Sequence, residues 1–510
     1  MHPMSRRAFV HGATAAFLGA SEGEGGGQPD RADAWPQDPG DDALIATAQR
    51  SVADAAPIAA ADRLRPQFHF LPPGRFMNDP NGCVWFDGAY HVFYQHLPFW
   101  GVAGAANAPG WGHAASRDLV RWEDWPIALM PRPGKCDAGG VASGCCVVAD
   151  GLPTIVYTSV PPQAQSLARS FDGMRTWRRY ADNPVVAAPP CVPGLADGFR
   201  DPFVWREDGR WRMLVGSGIT GVGGTALLYE SADLMAWRYL GRLSTGMGPD
   251  CFQWECPIFF RVDDRWVLII SPLLHSEPAI RGPVQYAVGR YDGRMFEHDG
   301  WRWLDLGGPG VFYAPHSLVD PRGRRILWGW LMGGGTPGSL WDGLLTLPRT
   351  VRIAADGSLR TWPAAEVDTL RAESMVDEPD RVLRSGETMD LPPGTQVDLV
   401  VHLAAGSSGR LEVHALHSPM GDRGVLVSLD PTSGEVLGGP ARAGAQRRFG
   451  PTRRLRVLLD RSVVEAFTDA GAALSLRAHP AEGDEGVRLR AADGEIALRR
   501  VRAWRMTAIG

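Results

Sequence analysis

The sequence predicts an all-β protein in two parts: a five-bladed β-propeller over residues 65–363, followed by a β-sandwich over residues 364–510. Three observations carry that prediction. From Arg65 to Pro363, short apolar and aromatic runs alternate with Gly, Asp and Pro turns, as in hairpin-rich β structure. A weak repeat runs through the same stretch: Ser116-Arg117-Asp118 with Trp122, Ser170-Phe171-Asp172 with Trp177, Ser231-Ala232-Asp233 with Trp237, and a degenerate copy at Asp292-Gly293 with Phe296. Its period of roughly 55–60 residues is close to that of a four-stranded propeller blade, and about five such units fill the segment. Beyond Ala364 the chain turns to long strand signals, at 397–403 and 455–467, with few groups suited to chemistry. Such runs suit a sandwich that packs against the propeller.

Taken in order, the chain opens on Arg6-Arg7 and an Ala-rich apolar run to Ala20, the pattern of a twin-arginine export signal. That run is too short and too interrupted to span a bilayer, and no later apolar run is long enough. Export to the periplasm or the exterior is therefore expected. Residues 21–40, rich in Gly, Pro and Asp, are expected to form a disordered linker. Over 41–64 the spacing of Leu44, Ile45, Ala48, Val52 and Ile58 predicts one packed helix, ended or kinked by Pro57. In each repeat, Ser and Asp cap a tight turn and the aromatic residue returns to pin the hairpin.

Bulk properties narrow the function. A chain of 510 residues exceeds one ordinary core, and a net charge of −5 gives no reason to expect nucleic acid or an anionic membrane as partner. The seven cysteines form neither metal-ligand spacing nor a disulfide framework, and most are expected to be buried thiols. No His/Cys/Asp cluster calls for a metal or an organic cofactor. The oligomeric state is not legible.

Chemistry concentrates in three short motifs: Met77-Asn78-Asp79-Pro80-Asn81-Gly82, Phe199-Arg200-Asp201-Pro202 and Trp254-Glu255-Cys256-Pro257. Each sets a carboxylate within two residues of a proline, with aromatic residues nearby. Taken singly they read as turns or ion pairs. Taken together they supply the two carboxylates of different duty that glycosidic cleavage by the retaining route requires.

These motifs resemble the signatures of glycoside hydrolase family 32, which acts on β-fructofuranosides. Tyr94-Gln95, Trp111-Gly112-His113-Ala114, Ser143-Gly144, Leu347-Pro348-Arg349 and Leu459-Asp460-Arg461-Ser462-Val463-Val464-Glu465-Ala466-Phe467 extend the resemblance over about residues 65–505. It implies a propeller-plus-sandwich enzyme with its site at the propeller axis, in which Asp79 is the nucleophile, Glu255 the acid/base and Asp201 a transition-state stabiliser held by Arg200. The two reacting carboxyl groups of a retaining enzyme stand about 5–5.5 Å apart. Asn78, Gln95, Trp100, Ser143 and Arg200 are the expected substrate contacts. Cys256 is expected to be an inert buried thiol, and His113 and His316 to serve structure. Phe76, Ala142 and Cys145 depart from residues common in the family and leave the leaving-group subsite open. The expected substrates are sucrose or fructans. Transfer of fructose to another sugar, or a catalytically silent sugar-binding propeller, are the alternatives.

Overall fold

The computed structural model describes residues 34–509, apart from 197, 249, 276–279 and 439–447. The expected export signal and most of the expected linker lie outside the described residues. Helix α1 runs Pro39–Ala61. The Asp38 side chain accepts from Gly40 N at 3.0 Å, Pro39 occupies the first turn where no backbone donor is missed, and Asp41 and Asp42 face the positive helix end. The helix continues past Pro57, which neither ends it nor sets its boundary, and its buried stripe is Asp41, Ala48, Ala55 and Ala59. Ile58, expected on that stripe, is 50% exposed. Trp35 is buried against Tyr180, although it falls in the segment expected to be a linker. Among the described residues no helix is long and apolar enough to cross a membrane.

The rest of the chain is all-β. Four sheets of nine, four, four and six strands occupy the N-terminal part. Each is entered by an inner strand: β1 (Arg75–Phe86), β2 (Gly140–Ala149), β3 (Arg200–Glu207), β4 (Cys251–Val262) and β5 (Phe312–Val319). The nine-stranded sheet contains both β1 and β5, and is continuous because Arg75 and Phe76 pair in parallel with Trp341 and Asp342. Each inner strand packs on the next, and β5 returns to β1, so the sheets close into a ring about one axis, as in a propeller. The repeat seen in the sequence forms the turn before the outermost strands. Asp118 Oδ1 accepts from Val120 N and Arg121 N, and Asp233 Oδ1 from Met235 N and Ala236 N; Asp172 caps Arg175 N and Thr176 N in the same way. A short acceptor that satisfies two turn donors is why Asp recurs there.

A seven-stranded and a five-stranded sheet form the C-terminal sandwich. On the strand Gln396–Leu403, Val397, Leu399, Val401 and Leu403 point into the core between the two sheets, following the period of two. The opposite face of the seven-stranded sheet packs on the propeller through Leu458 and Phe467, which meet Phe68 and Leu347. Two buried polar knots cross this boundary. Asp460 accepts from the backbone N of Gln67, Phe68 and His69 and pairs with His69 Nδ1 at 2.8 Å. Arg349 donates to Asp305 at 2.8 Å, Glu465 at 3.0 Å and Ser475 at 2.7 Å.

Candidate active site

All five inner strands break register at one level: between Met77 and Pro80, Ala142 and Gly144, Arg200 and Phe203, Glu255 and Ile258, and Tyr313 and His316. Four of these breaks hold a proline, in Asp79-Pro80, Asp201-Pro202, Cys256-Pro257 and Ala314-Pro315. Proline has no N–H for the ladder, so the strand bulges where it falls and re-aims the preceding side chain. Asp201, Cys256 and Ala314 accordingly sit at φ 66°, 45° and 45°. The fifth break carries Ser143-Gly144; a Cβ on Gly144 would lie 2.1 Å from Val156 O, so only glycine fits. The bulges turn Asp79, Ser143, Asp201 and Cys256 toward the axis at one end of the ring.

There the groups converge. Cys256 Sγ lies 3.4 Å from Asp79 Oδ2 and 3.6 Å from Asp201 Oδ2, so one sulfur joins two carboxylates that are 122 positions apart in sequence (201 − 79). Ser143 Oγ donates to Asp79 Oδ2 at 2.8 Å and Asn78 Nδ2 to Asp79 Oδ1 at 3.0 Å. Cys256 N donates to Asp201 Oδ2 at 2.9 Å, and Asp201 N to Thr158 Oγ1 at 2.9 Å. Arg200 gives Nε and Nη2 to Glu255 Oε1 at 3.0 and 2.7 Å, while Tyr313 Oη donates to Glu255 Oε2 at 2.8 Å.

Two expectations need correction. Arg200 spends its hydrogen bonds on Glu255 and reaches Asp201 only as a long ion pair, its Nε 4.0 Å from Asp201 Oδ2. Successive side chains leave a strand on opposite sides, and the left-handed turn at Asp201 points its carboxylate to the Cys256 amide instead. Cys256 is not an idle thiol, since it bridges the two aspartates. Of the other expected contacts, Asn78 and Ser143 flank Asp79. Gln95 is buried and donates to Val141 O at 2.9 Å, bracing β2 two residues before Ser143. The half-buried Trp100 stands at the rim, its ring 6.2 Å from that of Phe76, which in turn meets Trp330 at 6.2 Å. The guanidinium of Arg281 lies 5.4 Å from the Trp330 ring and 5.5 Å from the Tyr313 ring, completing an aromatic wall that ends on Glu255. Tyr313, Trp330 and Arg281 were missed in the sequence. Tyr313-Ala314-Pro315 is the same bulge signal as Arg200-Asp201-Pro202, two residues before a proline, but it carries no acid to draw notice.

Burial dominates the electrostatics. It raises Asp79 above the usual carboxylate range, reinforced by the charge of Glu255 and only partly offset by Ser143, Asn78 and Cys256. Asp201 is pushed up to about 7 by burial, against Arg200 and with the added repulsion of Glu255 and Asp79. Burial and then the three carboxylates hold the Cys256 thiol well above its ordinary value, so it remains an S–H donor. Asp201 therefore binds more protons folded than unfolded between its ordinary value of 3.8 and about 7. Its contribution to stability falls as pH rises through that window and is flat above it. Asp201→Asn should remove this slope. In urea unfolding, the variant's midpoint should exceed that of wild type above about pH 7, with the difference shrinking toward about pH 4. A difference independent of pH would overturn this assignment.

A closed ring of sheets with a carboxylate cluster at one end of its axis defines a class: β-propeller proteins with a multi-acid site built from the inner strands. The comparisons with known proteins place the chain within it. Residues 69–363 match the glycosyl hydrolases family 32 N-terminal domain and residues 366–505 match the glycosyl hydrolases family 32 C-terminal domain, so this protein belongs to glycosyl hydrolase family 32. It is 32% identical to a raffinose invertase of Escherichia coli, over 87% of this chain and 95% of that protein. In structure it is similar to a β-fructofuranosidase of Bombyx mori (TM-score 0.75, 26% identity, 92% of this chain and 99% of that one). It is similar also to fructan 1-exohydrolase IIa of Cichorium intybus (TM-score 0.75, 25% identity, 88% and 98%).

Proposed function

We propose that this protein is a retaining glycoside hydrolase that releases terminal β-fructofuranosyl residues from sucrose or fructans. The observation that carries this is the Asp79–Cys256–Asp201 cluster standing beside a Glu255 gripped from two sides. Asp79 is the nucleophile: an oxygen of its carboxylate attacks the anomeric carbon as the glycosidic bond breaks. Glu255 gives its proton to the departing oxygen, then takes one from the water that cleaves the fructosyl ester. Arg200 and Tyr313 orient it. Asp201 hydrogen-bonds fructosyl hydroxyls more strongly as positive charge develops on the ring, which favours the transition state over the ground state. Asn78 and Ser143 hold Asp79 in line. Trp100, Phe76 and Trp330 face the leaving group, where flat apolar rings suit sugar faces. The names of the raffinose invertase and the fructan exohydrolase support the substrate class.

On this reading the nine-stranded sheet is two blades fastened by the parallel pair at Arg75 and Phe76, which makes five blades in all. The catalytic unit ends near residue 363 and the sandwich follows it. Incubation with sucrose, raffinose, inulin and levan tests the function. Wild type should release fructose from at least one of them, and Glu255→Ala should lose that release by about 10²–10⁴-fold, the usual worth of general acid–base help. No fructose from any substrate, or equal release by the variant, would reject it. Longer oligosaccharides accumulating from concentrated sucrose would reassign the second step from water to a sugar acceptor.

A further inference from the structure

The end of the propeller axis opposite the acids opens into a cavity of about 690 Å³. Its lining comes from the same inner strands, further along each: residues 83–85 after Asp79, 145–146 after Ser143, 203–208 after Asp201, 259–261 after Glu255 and 316–321 after Ala314. Two to seven residues at about 3.3 Å each separate it from the level of the acids by about 7–23 Å along the strands. The mechanism above uses none of these residues.

Three N–H-bearing side chains line this cavity with part of their hydrogen-bonding capacity unspent. Arg325 donates Nη1 to Ser317 Oγ at 3.1 Å and lies 4.1 Å from the Phe260 ring, but its Nε is buried without a partner. No carboxylate comes within ion-pair distance of it among the described residues. Of the acids that share the lining, Glu207 pairs with Arg212 and Asp320 with Arg324, while the exposed Asp208 makes no ion pair among the described residues. Burial alone pulls Arg325 down to about 9, with no neighbouring anion to offset it. Trp205 Nε1 is buried without a partner. His316 is 6% exposed, and its ring nitrogens meet no side-chain partner. Burial and then Arg325 hold it down to about 3, so the ring is neutral and offers one N–H. His316 was expected to be structural; its ring packs against Phe203 at 5.6 Å, and the Ser317 backbone is the one polar neighbour that favours its charged form. A half-buried guanidinium whose Nε is sealed from solvent and that lacks a counter-ion is costly, and groups of this kind are retained where something pairs with them.

We propose that this cavity binds a small oxyanion of the phosphate class, either free or carried on a sugar, with Arg325 as counter-ion and Trp205 and His316 as further donors. A guanidinium fork matches the paired oxygens of a phosphate better than a single-atom anion. The volume lies within the range of about 300–1,000 Å³ usual for small-molecule sites. Trp85 and Trp266 in the lining give a sugar ring a face to rest on.

Calorimetric titration of the full chain with inorganic phosphate, glucose 6-phosphate and, as uncharged control, glucose tests this. At least one of the two anions should bind saturably and glucose should not. Arg325→Gln should weaken binding about tenfold or more, and Trp205→Phe severalfold, both with unchanged turnover of the substrate. Asp79→Asn should bind the anion as wild type does, which separates this site from the acids. Equal affinity for the two anions would mean that only the oxyanion is read; tighter glucose 6-phosphate would mean that the sugar is read too. Should Arg325→Gln fail to fold, Arg325→Lys, which keeps the charge but loses the fork, and Trp205→Phe carry the test. No saturable binding of either anion, or wild-type affinity in all the folded variants, overturns the proposal.

Discussion

Asp79→Asn should lower kcat by about 10⁴-fold or more with the fold intact, because an amide keeps the shape of the side chain but cannot form the fructosyl ester. Stability should not suffer. The native site already disfavours the charged form of Asp79, through burial and the neighbouring Glu255, so a neutral side chain relieves a cost. Asn can accept from Ser143 as Asp does, which keeps β1 and β2 in register at their bulges. Two measurements check this: kcat on the best substrate, and the mass of quenched enzyme during turnover. Wild type should carry one fructosyl adduct and the variant none. A variant within about tenfold of wild type would move the nucleophile's duty to another group. Asp201→Asn should lose less, since Asp201 exchanges no electron pair with the substrate and acts only through hydrogen bonds that tighten in the transition state.

Arg349→Leu is the change expected to cost most stability. The Arg349 side chain is fully buried where propeller meets sandwich, between Asp305 and Glu465, whose side chains are 1% and 0% exposed. Removing the cation strands two buried carboxylates and leaves Ser475 Oγ with one partner fewer. Breaking a buried pair from one side costs about 3–5 kcal/mol, and here the cation serves two acids. Urea unfolding should register a loss of that order, together with separate transitions for the two parts if the boundary loosens. The site lies on the propeller axis and touches none of these groups, so kcat of the surviving folded fraction should be unchanged. A loss below about 1 kcal/mol would mean that the knot is solvated or that the two acids take up protons cheaply.

Much of this architecture was legible before any coordinates. The Ser-x-Asp turns announced themselves because each Asp must satisfy two backbone donors of its turn, and that local need repeats in three sheets of the propeller. The strand at 397–403 was legible from its long apolar run, but not that both of its faces are buried, Asp398 and Val400 as fully as Leu399. The three acids stood out through their prolines, and the prolines are what bulge the inner strands. The aromatic wall did not stand out: Trp330 and Arg281 belong to no shared pattern; Trp330 faces Tyr313 across their hairpin, Arg281 reaches both from the preceding sheet, and Phe76 meets Trp330 only because the ring brings its last inner strand back beside the first. Pro57 was expected to end or kink the helix, and the helix runs on past it to Ala61, because a proline near the end of a packed helix loses little that tertiary contacts do not supply.

Partnership was the part that needed three dimensions. The chain by itself determined that carboxylates of different duty sit at equivalent points of repeated strands, since residue type, turn chemistry and spacing are local properties. Only the closed ring decided that Arg200 would spend its hydrogen bonds on Glu255 rather than on its own neighbour Asp201, that the Cys256 sulfur would stand between two aspartates, and that Arg325 would stand half-buried at the far mouth without an ion pair. Such pairings join residues tens to hundreds of positions apart, and a side chain's partner is set by which direction the backbone points it once the sheets have closed.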